Sequence, residues 1–160
     1  LYALPEASRD RFRSRQIGYV FQNHHLIPSL TALDNVIMPL AFARATAPSQ
    51  WRKDAQSWLE RVGLAEHMNK FPAQLSMGQR LRVAAARALA NQPRLLLADE
   101  PTAALDSGAG AQVMDLLQEV CRARGAILLV ASHDPALVER FERVADLHAG
   151  QLSWMEPVRI

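Results

Sequence analysis

The sequence predicts an α/β protein, a parallel-sheet core carrying an α-helical insertion. Two short apolar runs point to the sheet, Leu95 to Asp99 (LLLAD) and Ala126 to Ala131 (AILLVA), each followed by a helical pattern. Strand, helix, strand, helix is the grammar of βαβ units, whose strands lie parallel. The third observation is the stretch from Asn23 to Gln74, where every periodic segment is helical. With 160 residues, the chain suits one domain that buries roughly 70% of its unfolded surface.

Taken in order, IGYVF (Ile17 to Phe21) is a β-rich run ending at Gln22, and Pro28 punctuates the loop after it. Thr31 with Asp34 three residues on reads as an N-cap, opening a helix through Val36 towards Phe42 that Pro39 should kink or end. Ser49 is the next expected N-cap. Behind it Trp51, Ala55, Trp58, Leu59 and Val62 share a helical face, and Gly63 stands where a C′ glycine belongs. After Pro72, Ser76 caps a helix carrying Leu81, Ala84, Ala85, Ala88 and Leu89. LLLAD then suits a strand buried on both faces. A helix through Val113, Leu116, Leu117 and Val120 ends near Gly125, and a last helix begins at Asp134-Pro135 with proline at N1.

Composition excludes several classes. Hydrophobic residues make up 49% and charged residues 21%, which argues against disorder and fibres. One cysteine, Cys121, leaves no intramolecular disulfide framework or Cys-based zinc cluster, and suggests a reducing compartment. No apolar run approaches the ~18 residues of a membrane span. The net charge is +2, and the cluster Arg9, Arg11, Arg13 and Arg15 is diluted by Glu6 and Asp10. It reads as a solvated surface, and no nucleic-acid partner is expected.

Four short motifs carry chemistry. LLLADE places Asp99 and Glu100 at the C-terminal edge of a parallel strand, where open α/β sheets bind ligands. Neighbouring residues on a strand point to opposite faces, so one acid can hold a hydrated Mg²⁺ while the other reaches an attacking water. LSMGQ, Leu75 to Gln79, opens a helix with a Ser76 hydroxyl, the unencumbered backbone of Gly78 and unpaired N–H groups, an anion site for a phosphate. PTAALD ends at Asp106, and ASHD places His133 just past a buried strand, 34 residues beyond Asp99. Alone, each has a bland reading: an acidic turn, an ordinary N-cap, a core or capping histidine.

Together, and in this order, they resemble the ATP-binding-cassette (ABC) ATPases from about Ile17 to Leu152. YVFQ looks like the family's Q-loop, LSMGQRLRVAAARAL its signature motif and helix, LLLADEPT its Walker B and catalytic glutamate, AALD its D-loop, and ASHD its switch-histidine loop. The resemblance implies a P-loop-NTPase-like parallel sheet, incomplete here, with a helical subdomain over about 23–75 and the signature helix and α/β core over about 76–155. It implies ATP and Mg²⁺ as cofactors. Gln22 would sense the γ-phosphate and Mg²⁺ and link the site to a transport domain. Asp99 would bind Mg²⁺ through water, Glu100 would act as general base, and His133 would contact the γ-phosphate. Ser76, Gly78 and Gln79 would close over the nucleotide of a second ATPase subunit, with Asp106 helping to couple the two sites. Phosphoryl transfer needs positioning and charge compensation more than covalent chemistry, which fits these residue types.

Two residues depart from the family pattern: Met77 replaces the usual signature glycine, and Ala103 stands where the D-loop often has serine or glycine. Met77 is tolerable if its φ is negative. No G-x-x-x-x-G-K-[ST] occurs, and Lys53 and Lys70 both fall in the helical segment. The expectation is an N-terminally truncated cassette, inactive as an isolated chain because backbone N–H groups and a lysine must cradle the phosphates.

FQNHHLIPSLTALDNVIMPL resembles the lipoprotein-release and macrolide-export branch. That implies an integral membrane permease as partner, a peripheral location on the cytoplasmic face of the inner membrane, and export or lipoprotein release. Leu26, Ile27, Leu30, Leu33, Val36 and Met38 would meet the permease or pack the insertion's own core. A soluble, non-transport ABC ATPase and an inactive interaction module stand as alternatives.

Overall fold

The computed structural model describes residues 5–43, 47–103, 105 and 107–155. Its elements, in chain order, are α1 (Glu6–Gln16), β1 (Ile17–Val20), α2 (Ala32–Ala43), α3 (Pro48–Arg61), α4 (Met77–Leu89), β2 (Leu95–Asp99), α5 (Ser107–Arg124), β3 (Ile127–Ala131), α6 (Pro135–Val138), β4 (Ala145–His148) and β5 (Gln151–Trp154), with short 3₁₀ turns at Ala65–His67 and Pro72–Gln74. The strands β1, β2 and β3 form a parallel sheet in that order, and β4 and β5 an antiparallel hairpin. The expected α/β class and parallel sheet are therefore present.

Register decides what the sheet buries. Gly18 pairs with Leu96, Val20 with Ala98 and Leu96 with Leu128, so these residues share one face. There Val20, Leu96 and Ala98 are buried and join Leu81, Ala85 and Leu89 of α4 and Val113, Met114 and Leu117 of α5 in one core. The opposite face carries Tyr19, Leu97 and Leu129 in register, and Ile127 and Leu129 are 66% and 59% exposed. The expectation of a strand buried on both faces is corrected for β2, and β3 is more open still. Side-chain period 2 sends alternate residues to a face that the described helices do not cover.

The helical segment holds most of the expected pattern. Thr31 Oγ1 accepts the Asp34 N–H at 3.1 Å and donates to the Asp34 carboxylate at 2.6 Å, capping α2. Pro39 does not end that helix, which runs on to Ala43. Leu40 and Ala43 are buried in the turn beyond it, while Asn91 donates to the Pro39 carbonyl and Arg15 to that of Ala43, each at 2.9 Å. Tertiary contacts thus outweigh the proline's local cost. The α3 cap is Ala47 rather than Ser49, with Pro48 at N1, where the missing N–H costs nothing. Ala55, Trp58, Leu59 and Val62 are buried as expected, and Gly63 takes φ +71° past the helix end.

Two elements lack the expected signal. α1 buries no residue, so it has no apolar stripe to read; Glu6 in its first turn, Arg13 and Arg15 in its last, and an Asp10–Arg13 ion pair suit it to solvent. The β4–β5 hairpin turns through Ala149 and Gly150, both at positive φ, a primed turn without the usual Asn-Gly signature. The last expected helix is only the four-residue α6, opened by the Asp134 carboxylate accepting from the Ala136 N–H.

Candidate functional site

Three parallel strands deliver the chemistry-bearing residues to one edge. β1 ends at Val20, two residues before Gln22; β2 ends at Asp99, followed by Glu100; β3 ends at Ala131, followed by Ser132 and His133. Val20 pairs with Ala98 and Asp99 with Ala131, so all three C-terminal ends lie level. This carboxyl edge is where open α/β sheets place ligands.

At the edge, Glu100 adopts φ +45°, the left-handed region that non-glycine residues enter at a cost of about 1–3 kcal/mol. Its N–H still donates to the Ala131 carbonyl at 2.9 Å, extending the β2–β3 ladder by one bond. Its half-buried carboxylate accepts three hydrogen bonds: from His133 Nδ1 at 2.6 Å, the His133 N–H at 2.9 Å and the Ser132 hydroxyl at 2.8 Å. Burial pushes this carboxyl up, but the bonds from the His133 ring, Ser132 and the His133 amide outweigh it, and the acid lies below its ordinary 4.5. The hydrogen bond to Glu100, then the charges of Glu100 and Asp134, hold the exposed His133 imidazole above its ordinary 6.5, with burial a weaker opposing effect. The structure therefore brings Glu100 and His133 into direct contact, and adds Ser132, to which the sequence reading assigned no role. Its signal was present in ASHD.

The Ser76 helix end is built as a reciprocal capping box. Ser76 Oγ accepts the Gln79 N–H at 3.2 Å, and Gln79 Oε1 accepts the Ser76 N–H at 2.9 Å. Gln79 Nε2 lies 2.9 Å from His67 Nε2, so the Gln79 amide is already engaged within the chain. Met77 lies inside α4 and does not take a positive φ. A Cβ on Gly78 would sit 3.5 Å from Leu105, an ordinary contact, so packing within the described residues does not demand glycine there. Asp106 lies outside the described residues.

The loop joining β1 to α2 is tightly held. His24 is 5% exposed; its Nδ1 lies 2.9 Å from the Gln22 carbonyl and its Nε2 3.4 Å from the Met77 carbonyl. Arg87 donates to the carbonyls of His24 and His25, both at 2.6 Å. At the loop's far end the buried Asn35 accepts from the Ile27 N–H and donates to the carbonyls of Ile27, Leu30 and Thr31. None of His24, Asn35 and Arg87 carries a sequence signal beyond its polar type. Of the apolar residues expected to face a permease or the insertion's core, Leu33 and Val36 are core, at 2% and 0% exposure; Leu26, Ile27, Leu30 and Met38 are only half-buried. A cavity of about 890 Å³ opens beside this loop, between α1 and the ends of α2 and α4. Arg11, Arg15, Tyr19, Phe42, Arg87 and Asn91 help to line it; Asp99, Glu100 and His133 do not.

Comparison with known proteins bears on the family and the fold. Residues 4–103 match the ABC transporter family. A lipoprotein-releasing system ATP-binding protein LolD of Shewanella sp. (strain MR-4) is 44% identical over 152 residues, covering 95% of this chain and 65% of the relative. LolD 2 of Rhodospirillum rubrum is 45% identical over 157 residues, covering 98% and 68%. The dimeric post-hydrolysis structure of the ATP-binding cassette MJ0796 bound to ADP and Pi superposes with a TM-score of 0.87 at 41% identity, covering 98% of this chain and 69% of that one. The chain belongs to the ABC transporter family, and its fold is that of the ABC cassettes. It spans about two thirds of the length of the curated relatives it matches.

Proposed function

We propose that this chain is the part of an ATP-binding and ATP-hydrolysing transporter subunit that carries the general base, the switch histidine and the signature helix, and that it serves lipoprotein release with a membrane permease. The observation that carries the reading is the Glu100–His133–Ser132 cluster at the sheet edge that Gln22 and Asp99 also reach. Similarity to LolD proteins, named for lipoprotein release, supports the substrate class.

His133 and Ser132 hold the Glu100 carboxylate in place and ionised at neutral pH, ready to accept a proton from an attacking water. Asp99 would hold Mg²⁺ through water, with Gln22 beside it. One carboxylate shared with phosphate oxygens and waters is a donor set that Mg²⁺ accepts, and the ion would offset charge on the transferred phosphoryl group. Ser76, Gly78 and Gln79 would meet the nucleotide of a second subunit, and the Gly78 backbone, unneeded by its own fold, is available for that approach. Asp106 would couple the two sites. Among the described residues no helix is long and apolar enough to cross a membrane, and the permease would supply attachment to the cytoplasmic face.

The test is Glu100→Gln in a cassette completed with a P-loop and assembled with its permease. Hydrolysis is expected to fall about 100-fold or more while ATP binding persists and traps the dimer. Turnover at the parent rate would remove Glu100 as the base. The 160-residue chain alone, lacking the P-loop motif, is expected to show no saturable ATP binding at micromolar concentrations.

A further inference from the structure

The loop after β1 and the helix that begins at Ser76 lie 53 residues apart in sequence, yet one buried side chain touches both. The His24 ring places Nδ1 against the Gln22 carbonyl at 2.9 Å and Nε2 against the Met77 carbonyl at 3.4 Å, so each nitrogen faces an acceptor on a different segment. His24 and His25 take φ +62° and +45°, a left-handed pair that non-glycine residues adopt sparingly. That backbone aims the ring towards α4 and turns two carbonyls towards Arg87, which donates to both at 2.6 Å. Met77 opens α4 and Arg87 lies in its last turn, about 15 Å further along the axis. The loop is thus fastened to both ends of the same helix, and Asn35 stiffens its remaining residues.

We propose that His24 is a positioning residue that ties the Gln22 carbonyl to the first turn of the Ser76 helix, with Arg87 holding the backbone that aims its ring, so that displacing either segment moves the other. The proposal rests on the reading above, in which Gln22 and Ser76 serve nucleotide. The strut itself is a property of this chain and is testable without ATP. A buried histidine has two polar ring nitrogens to satisfy, and these two contacts lie on segments far apart in sequence. Here the second contact goes to the residue immediately after Ser76.

The experiment is amide hydrogen exchange on the full 160-residue chain, comparing His24→Phe, His24→Gln and His24→Asn with the parent. Phenylalanine keeps an aromatic ring and removes both ring nitrogens. The glutamine amide nitrogen falls near the Nε2 position and the asparagine nitrogen near Nδ1. With His24→Phe, exchange at Gln79 to Leu81 and at Gln22 to Leu26 is expected to rise about 5-fold or more, the low end of coupling between sites, while Leu96 to Ala98 and Leu128 to Val130 stay protected. His24→Gln should restore protection at Gln79 to Leu81, and His24→Asn should not. Unchanged exchange at Gln79 to Leu81 in His24→Phe, a uniform rise across the sheet, or equal rescue by both amides would overturn the proposal. In a cassette completed with a P-loop, His24→Phe should lower kcat by a similar factor with the KM for ATP unchanged; a change confined to KM would also count against it. Absence of ATP turnover in the parent cassette would overturn the functional reading alone, and the exchange result would still decide the strut.

Discussion

Gly18→Ala is expected to loosen the joint between the sheet and the signature helix. Gly18 is a buried residue of β1 that faces α4, and a Cβ there would lie 2.3 Å from the Ala88 carbonyl oxygen, 2.9 Å from Leu96 Cδ1 and 3.0 Å from Pro93 Cγ. The first contact is more than about 1 Å inside the 3.5–4.0 Å optimum for non-bonded carbon pairs. Its partner is helix backbone, which cannot swing aside as a leucine tip can, so strand and helix must separate. Overpacking of this kind costs about 1–3 kcal/mol, and a backbone obstacle places Gly18→Ala near the upper end. At about 2–4 °C per kcal/mol for a chain this long, Tm should fall by about 6–12 °C. Thermal and urea denaturation of the 160-residue chain measure it, with Gly78→Ala as comparison, since its Cβ meets only Leu105 at 3.5 Å. If Gly18→Ala shifted Tm by less than about 2 °C, the close approach of β1 to α4 would be wrong.

Two further outcomes follow from hydrogen bonds at the site. Glu100 lies below 4.5, so its contribution to stability is present above that pH and lost as pH falls through the lowered value. His133 lies above 6.5, so its contribution is full below 6.5 and lost as pH rises through the raised value. Their contact should therefore be strongest between about pH 4.5 and 6.5, and an NMR titration should place the His133 midpoint above 6.5, returning towards it in Glu100→Gln; identical midpoints in both proteins would refute the pairing. Asn35→Ala leaves the Ile27 N–H and the Leu30 carbonyl without their side-chain partner, while the Ile27 carbonyl keeps the Leu30 N–H. At about 1–3 kcal/mol for each group left buried and unpaired, the chain should lose about 2 kcal/mol or more in urea denaturation, and a loss below about 0.5 kcal/mol would show that these groups find water.

The sequence by itself determined the α/β class, the parallel strands at LLLAD and AILLVA, the Ser76 cap and the family. All of these rest on local spacing: apolar runs, cap residues at fixed offsets and short motifs in order. Only the tertiary structure decided that α2 survives Pro39, because the partners of its carbonyls come from Arg15 and Asn91, 28 and 52 residues away. It alone placed Leu33 and Val36 in the core, left Ile127 and Leu129 exposed, and closed β4 and β5 through an Ala-Gly turn. The contact of Glu100 with His133 and Ser132 likewise spans 32–33 residues, and the fastening of His24 and Arg87 spans 53–63. Residues such as His24, Asn35 and Arg87 look like ordinary polar positions in a linear reading. Their partners are backbone carbonyls or amides, which every residue carries and which acquire meaning only when the fold brings them within reach.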